Sequence, residues 1–306
     1  MNKNAIIAVF KRNLASYFGS PSGYVFICAF LLASGLAAFW PQEFFDSNLA
    51  NLDQLNRYLP LILLGFIPAI TMSIWADEKR QGTDELLLTL PGSDFDVVIG
   101  KYLGAVAIFS VSLVISLIAN YYVLSQLGNP DFGLLVSTYL GYWFVGLSMI
   151  AIGMVASFLT ANLTVAFVLG VAFNSPLALL QDSEWAIAAN FLDFSRGIIS
   201  TSGMIFFIGL AVAMLYLSSI LIGRRHWVGS PQGKNKFSHF SVRVVATLVT
   251  AFALTQYFRN HDIVRLDATA EQLSSLSEGS IELLGQLNSQ VEIDAFISPT
   301  DSIPEQ

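Results

Sequence analysis

Charge is scarce in this sequence: Asp, Glu, Lys and Arg make up 12% of its 306 residues, about half the share a water-soluble domain carries. A deficit that deep excludes an ordinary cytosolic globule and points to lipid. Cysteine is scarcer still, and Cys28 alone implies no disulfide framework. The three histidines, His226, His239 and His261, stand in no metal-ligating spacing, and neither H-E-x-x-H nor G-x-S-x-G occurs. GSPQGK (229–234) falls one residue short of the phosphate-cradling G-x-x-x-x-G-K, lacks the following Ser or Thr, and comes after an apolar run rather than a strand. No catalytic, cofactor-binding or metal residue is therefore expected on this chain. A basic, aromatic-laced surface for nucleic acid is lacking too; RRHWVGSPQGKNK (224–236) reads as a signal holding its segment on the cytoplasmic face.

Apolar residues are abundant instead, at 54%, with 24 Phe and a mean hydropathy of +0.62. A helix needs roughly 20 apolar residues to cross hydrocarbon. The 50-residue uncharged run between Asp131 and Asp182 therefore holds two crossings, with a turn near Ser157 to Asn162. The pattern predicts an all-α polytopic membrane protein with seven spans, about 23–40, 58–76, 102–125, 133–157, 161–181, 201–222 and 243–259. The last is short, and Arg243 and Arg259 can snorkel from its ends. The first is not a signal peptide, because an amphipathic segment precedes it and further spans follow.

Lysine and arginine orient the chain. With the N-terminus cytoplasmic, eleven face inward and only Arg57, Arg196, Arg259 and Arg265 face outward. Sixteen of the 22 acids then lie outside, so the acidic balance describes the exterior and not a binding partner. This puts the C-terminus on the extracytoplasmic side of the membrane. The spans hold almost no acids or bases, which argues against an ion-coupled carrier. Thr71, Asn120, Asn162 and Asn174 read as helix-packing or helix-end groups.

Between the spans, KNAIIAVFKRNLASYF (3–18) has the apolar spacing of an interfacial helix, and residues 1–22 form an elbow that GSPSG (19–23) bends into the membrane. EKRQGTDELLLTLPGSDFDVVIGK (78–101) gathers charge between two apolar runs. Gly82 and Thr83 open a short helix over 82–91, with Asp84 and Glu85 in its first turn, Leu86, Leu87 and Leu90 on one face, and Pro91-Gly92 at its end. Ser93 then caps a helix, with Asp96 as its box partner, that runs straight into the third span. A short helix joined so stiffly to a crossing helix is a lever.

Residues 183–203 are amphipathic, with Trp185, Phe191 and Phe194, and read as an outer-interface or re-entrant helix on which Asp193 and Arg196 can pair. Residues 223–242 are a basic linker and 260–306 a small α/β extracytoplasmic tail, in which VEIDAFIS (291–298) alternates as a half-buried strand does.

WADEKRQGTDELLLTLP (75–91), VIGK (98–101) and FKRNLASYFGSP (10–21) resemble the ABC-2 class of ATP-binding-cassette transporter permeases, and within it the gliding-motility, GldF-like, group. FSRGIIS (194–200) is a weaker echo, because the family usually has Val-Ile-Asp after the Arg-Gly and Ser200 departs from it. The resemblance covers about residues 1–225 and implies a six-helix, type V exporter-like permease domain over 23–222, followed by the seventh span. The tail from His261 is similar to the start of the GldG-like auxiliary proteins. The resemblance also implies a second permease chain, as homodimer or heterodimer, and two copies of a cytoplasmic ABC ATPase that binds ATP and Mg²⁺. The ATPase-coupling residues carried over by it are Phe10, Arg12, Glu78, Arg80, Thr83, Asp84, Glu85 and Leu87, with the acids meeting donors on the ATPase and Leu87 filling an apolar groove there. Asp193 and Arg196 are candidates for an outer gate. A scaffold that carries the tail without transporting anything is the alternative reading.

Overall fold

The computed structural model describes residues 2–84, 87, 93–179, 186–223, 233–260, 265–270, 272, 275 and 278–286. Helix α1 (Lys3–Gly19) starts at Asn2, whose side chain accepts from the Asn4 N–H at 3.2 Å. Pro21 opens α2 (Pro21–Phe39), where its missing N–H costs no hydrogen bond, and the axes of the two helices differ by 73°. This is the elbow expected from GSPSG. Helix α1 packs along the long helix over Asp94–Leu127 with Ile6 and Val9 buried, and Tyr17 donates its hydroxyl to the Ile70 carbonyl at 3.1 Å.

After the short α3 (Gln42–Ser47), α4 (Asp53–Gln81) runs 29 residues through Pro60 and Pro68. It stops at Gly82, whose φ of +67° is the left-handed conformation that ends many helices. Helix α5 (Asp94–Leu127) has the expected capping box: the Ser93 hydroxyl accepts from the Asp96 N–H at 3.3 Å and the Asp96 carboxylate from the Ser93 N–H at 3.0 Å. Its 34 residues make an uninterrupted rod of about 51 Å.

Helix α6 (Phe132–Phe158) is the innermost element, packed against α4, α5, the following α7 (Leu163–Leu179) and α9 (Thr201–Gly223). The break between α6 and α7 falls where the sequence places it, and Asn162 caps α7 through the Thr164 N–H at 2.9 Å. Asn120 donates to the Tyr139 hydroxyl at 2.8 Å, Ser116 lies 3.0 Å from that hydroxyl, and Ser34 lies 2.9 Å from Ser116. This chain of polar groups pins α2, α5 and α6 together where hydrocarbon offers no partner. Thr71 and Asn174 bond back to their own helices, at Ile67 and Gly170.

Four helices, α4, α5, α6 and α9, and residues Ser241–Arg259 of α10 (Gly233–Asn260) are long and apolar enough to cross a membrane; α1 with α2, taken as one bent span, would make six. The described part of the apolar α7, 17 residues ending at Leu179, rises about 26 Å. Among the described residues five helices, or six with the bent pair, are long and apolar enough to cross, where the sequence predicts seven spans.

The outer segment departs from the expected long amphipathic helix. Helix α8 covers only Ile187–Ser195; Gly197 turns the chain with a φ of +86°, and β1 (Ile198–Ser200) follows. That strand pairs antiparallel with β2 (Arg265–Asp267), in register Ile198 to Asp267, Ile199 to Leu266 and Ser200 to Arg265. The expected strand at 291–298 lies outside the described residues. The chain divides into two compact units, 1–270 and 271–306; the second contains α11 (Glu278–Gly285).

Candidate functional site

The end of α4 is where charge meets the helix core. Lys101, on the second turn of α5, has a side chain fully withdrawn from solvent. Its ammonium donates to the Ile74 carbonyl at 2.6 Å, lies 2.8 Å from Glu78 Oε2, and sits 4.5 Å from the centre of the buried Trp75 ring. The other Glu78 oxygen accepts from Arg12 of α1. A buried ammonium is tolerated only when paired and hydrogen-bonded, and here a counter-ion, a carbonyl and an aromatic face do both. One carboxylate thereby ties together α1, the last turns of α4 and the head of α5.

Two further links join this knot to the rest of the core. The Ser157 hydroxyl, near the end of α6, accepts from the Trp75 and Ala76 N–H groups at 3.1 and 3.2 Å and donates to the Met72 carbonyl at 2.8 Å. Lys79 donates to the Phe158 carbonyl at the C-terminus of α6, where a cation suits the exposed carbonyls, and lies 3.7 Å from the Phe158 ring centre. The head of α5 is tethered as well, since the Asp96 carboxylate that closes the capping box also accepts from the Asn2 N–H at 3.2 Å. Displacement of the α4 end thus has direct paths into α1, α5 and α6.

The predicted coupling residues fall into distinct classes. Arg12 pairs with Glu78, whose other oxygen meets Lys101. Leu87 is 3% exposed and packs in this chain's own core. Asp84 is buried, Phe10 is half-buried, and Glu85 lies outside the described residues. Arg80, paired with Asp77 at 2.7 Å, and Thr83 remain exposed. Lys101 is the residue that sequence reasoning missed as a site: it was legible as an inward cation and as the end of the VIGK (98–101) motif, but was given no role. Ser157 carried no signal beyond its place at a turn.

At the opposite end, Asp193 and Arg196 do not pair. Arg196 sits just beyond the last turn of α8, where its N–H bonds the Asp193 carbonyl at 3.0 Å, and the Asp193 side chain meets Arg265 at 3.6 Å instead. Among the described residues no group of three or more His, Cys, Asp or Glu is placed to hold a metal ion.

A long α5 rod capped at the charged end, a bent N-terminal elbow and a bundle centred on α6 coincide with one family comparison. The family model for ABC-2 family transporter proteins matches residues 25–225. None of the curated proteins and none of the solved structures compared matches the chain. With some two-thirds of its length matched, the chain belongs to the ABC-2 transporter family, as a multi-pass membrane subunit that is not itself catalytic.

Proposed function

We propose that this chain is the permease subunit through which a separate cytoplasmic ABC ATPase, present in two copies and holding ATP and Mg²⁺, drives export or transmits force across a bacterial inner membrane. It works with a second permease chain and membrane lipids, with its N-terminus and the α4–α5 junction in the cytoplasm and its C-terminus outside. The observation that carries this reading is the knot of Arg12, Glu78 and Lys101. A push on the α4–α5 junction reaches α5, and so the outer end, through an ion pair in a low-dielectric site rather than through flexible loops. The GldF-like assignment and the GldG-like nature of the tail belong to this reading; a scaffold for the tail is the second reading, favoured by the pairing of β2 with β1.

The exposed Arg80 is the contact to test. Reversing its charge with Arg80→Glu is expected to lower co-purification of the ATPase without lowering the thermal midpoint, because a solvated i,i+3 pair contributes under about 1 kcal/mol to the fold. Leu87→Lys, which puts an ammonium into the core, is expected to lower both. Unchanged co-purification with Arg80→Glu counts against the proposed contact surface, and failure of the wild-type chain to retain any ATPase favours the scaffold.

A further inference from the structure

The outer end of unit 1 holds a set of contacts that the transport reading does not use. Asp131 divides its carboxylate: Oδ1 caps α6 by accepting from the Gly133 and Leu134 N–H groups at 2.8 and 3.1 Å, while Oδ2 accepts from the Ala270 N–H at 2.8 Å. The Gly197 carbonyl accepts from the Ala268 N–H at 2.9 Å. Asp193 meets Arg265 at 3.6 Å, and β1 pairs with β2 between them. Two glycines leave the room for this: a Cβ on Gly133 would lie 1.6 Å from the Ala268 carbonyl oxygen, and one on Gly197 2.3 Å from Thr269 Cγ2. The incoming segment is itself shaped for the fit, since Asp267 Oδ1 accepts from the Thr269 N–H at 3.0 Å and its hydroxyl at 2.6 Å, turning the chain toward Asp131. All of 265–270 lies beyond the family-matched segment and beyond α10.

We propose that Asp131, Gly133, Asp193, Gly197 and β1 form an acceptor site on the permease domain for an extended extracytoplasmic peptide, which joins β1 as an antiparallel strand, and that residues 265–270 occupy it in this chain. The peptide chemistry it takes is a cation at the first position, an Asp-x-Thr turn and a free N–H one residue after the Thr. Main-chain pairing supplies affinity, and the two carboxylates and two bare glycine surfaces supply selectivity. Residues 265–270 are therefore fastened to the head of α6 and to β1 directly, not only threaded through α10. This site works whether or not an ATPase drives the chain, and its test involves no nucleotide.

The test is disulfide trapping of the full chain in native membranes, in a Cys28→Ala background with a protease site placed within residues 224–232. Directly opposed residues of an antiparallel pair have Cα atoms about 4.5–5.5 Å apart, within disulfide reach. Ile199→Cys with Leu266→Cys, oxidised and then cleaved, is expected to leave the two fragments joined until reduction. The control is the thermal midpoint of the reduced chain, which reports folding independently of the trapped pair. Adding Gly197→Val should abolish most of the Ile199–Leu266 product and spare the control. Asp131→Asn does the same more gently, because Asn still caps α6 but its amide cannot accept on both sides. The proposal is overturned if the chain keeps its thermal midpoint and Ile199 with Leu266 does not join, or if their yield is unmoved by both added substitutions.

Discussion

Lys101 brings a charge to a place water does not reach, where Glu78 meets its ammonium at 2.8 Å and the buried Asp84 adds attraction. The two partners are not equivalent. Removing the carboxylate with Glu78→Gln strands a buried cation, whereas removing the cation with Lys101→Met leaves Glu78, itself 15% exposed, with Arg12. Breaking a buried pair by stranding one charge costs about 3–5 kcal/mol. Glu78→Gln is therefore expected near the lower end of that range, and Lys101→Met at markedly less. In the double variant the loss should fall well below the sum, as thermal unfolding of the purified chain would register. Equal losses that add would mean that the pair is not coupled. The residues were named beforehand but not their contacts: Glu78 and Lys101 bound one charged stretch of the sequence, and only helix packing brings Arg12, some 66 positions earlier, onto the same carboxylate.

Helix α5 owes its stiffness to local chemistry, which is why its start was legible. The reciprocal Ser93–Asp96 bonds need only four consecutive residues, and the apolar pattern continues from there without a Pro to Leu127. Leu103→Pro tests the rod. Leu103 is 40% exposed, so little packing is lost, but proline removes a ladder bond and kinks the helix at a cost of about 3 kcal/mol. ATPase co-purification is expected to survive, since the α4 end and the exposed Arg80 lie before the kink, while ATP-driven activity is lost; full activity would show that the rod is not the path. The outer segment was less legible. A helix-period pattern over 183–203 does not show where Gly197 turns the chain, and three-residue strands are too short for a period-two signal. Likewise the apolar face of 86, 87 and 90 was plain, but not that this chain's own core covers Leu87.

Across the whole molecule the two ends of the bundle differ in kind. One end concentrates the Arg12–Glu78–Lys101 knot, Lys79 on the end of α6 and the exposed Arg80; the other holds Asp131, Asp193 and the strand pair. The membrane class was visible in composition alone, because a chain this poor in charge cannot cover itself with solvated side chains. The span count was less legible, because hydropathy alone does not show that the first apolar run is bent against the N-terminal helix by 73°. The central claim is that movement imposed at the charged end emerges at the far end through α5. Spin labels on Leu127→Cys and Leu192→Cys, both exposed, in a Cys28→Ala chain reconstituted with its ATPase, read that far end directly. An ATP-dependent shift in their distance distribution that disappears in a folded Glu78→Gln chain is expected; a distance that ignores ATP, or a shift that persists in Glu78→Gln, would contradict transmission through α5.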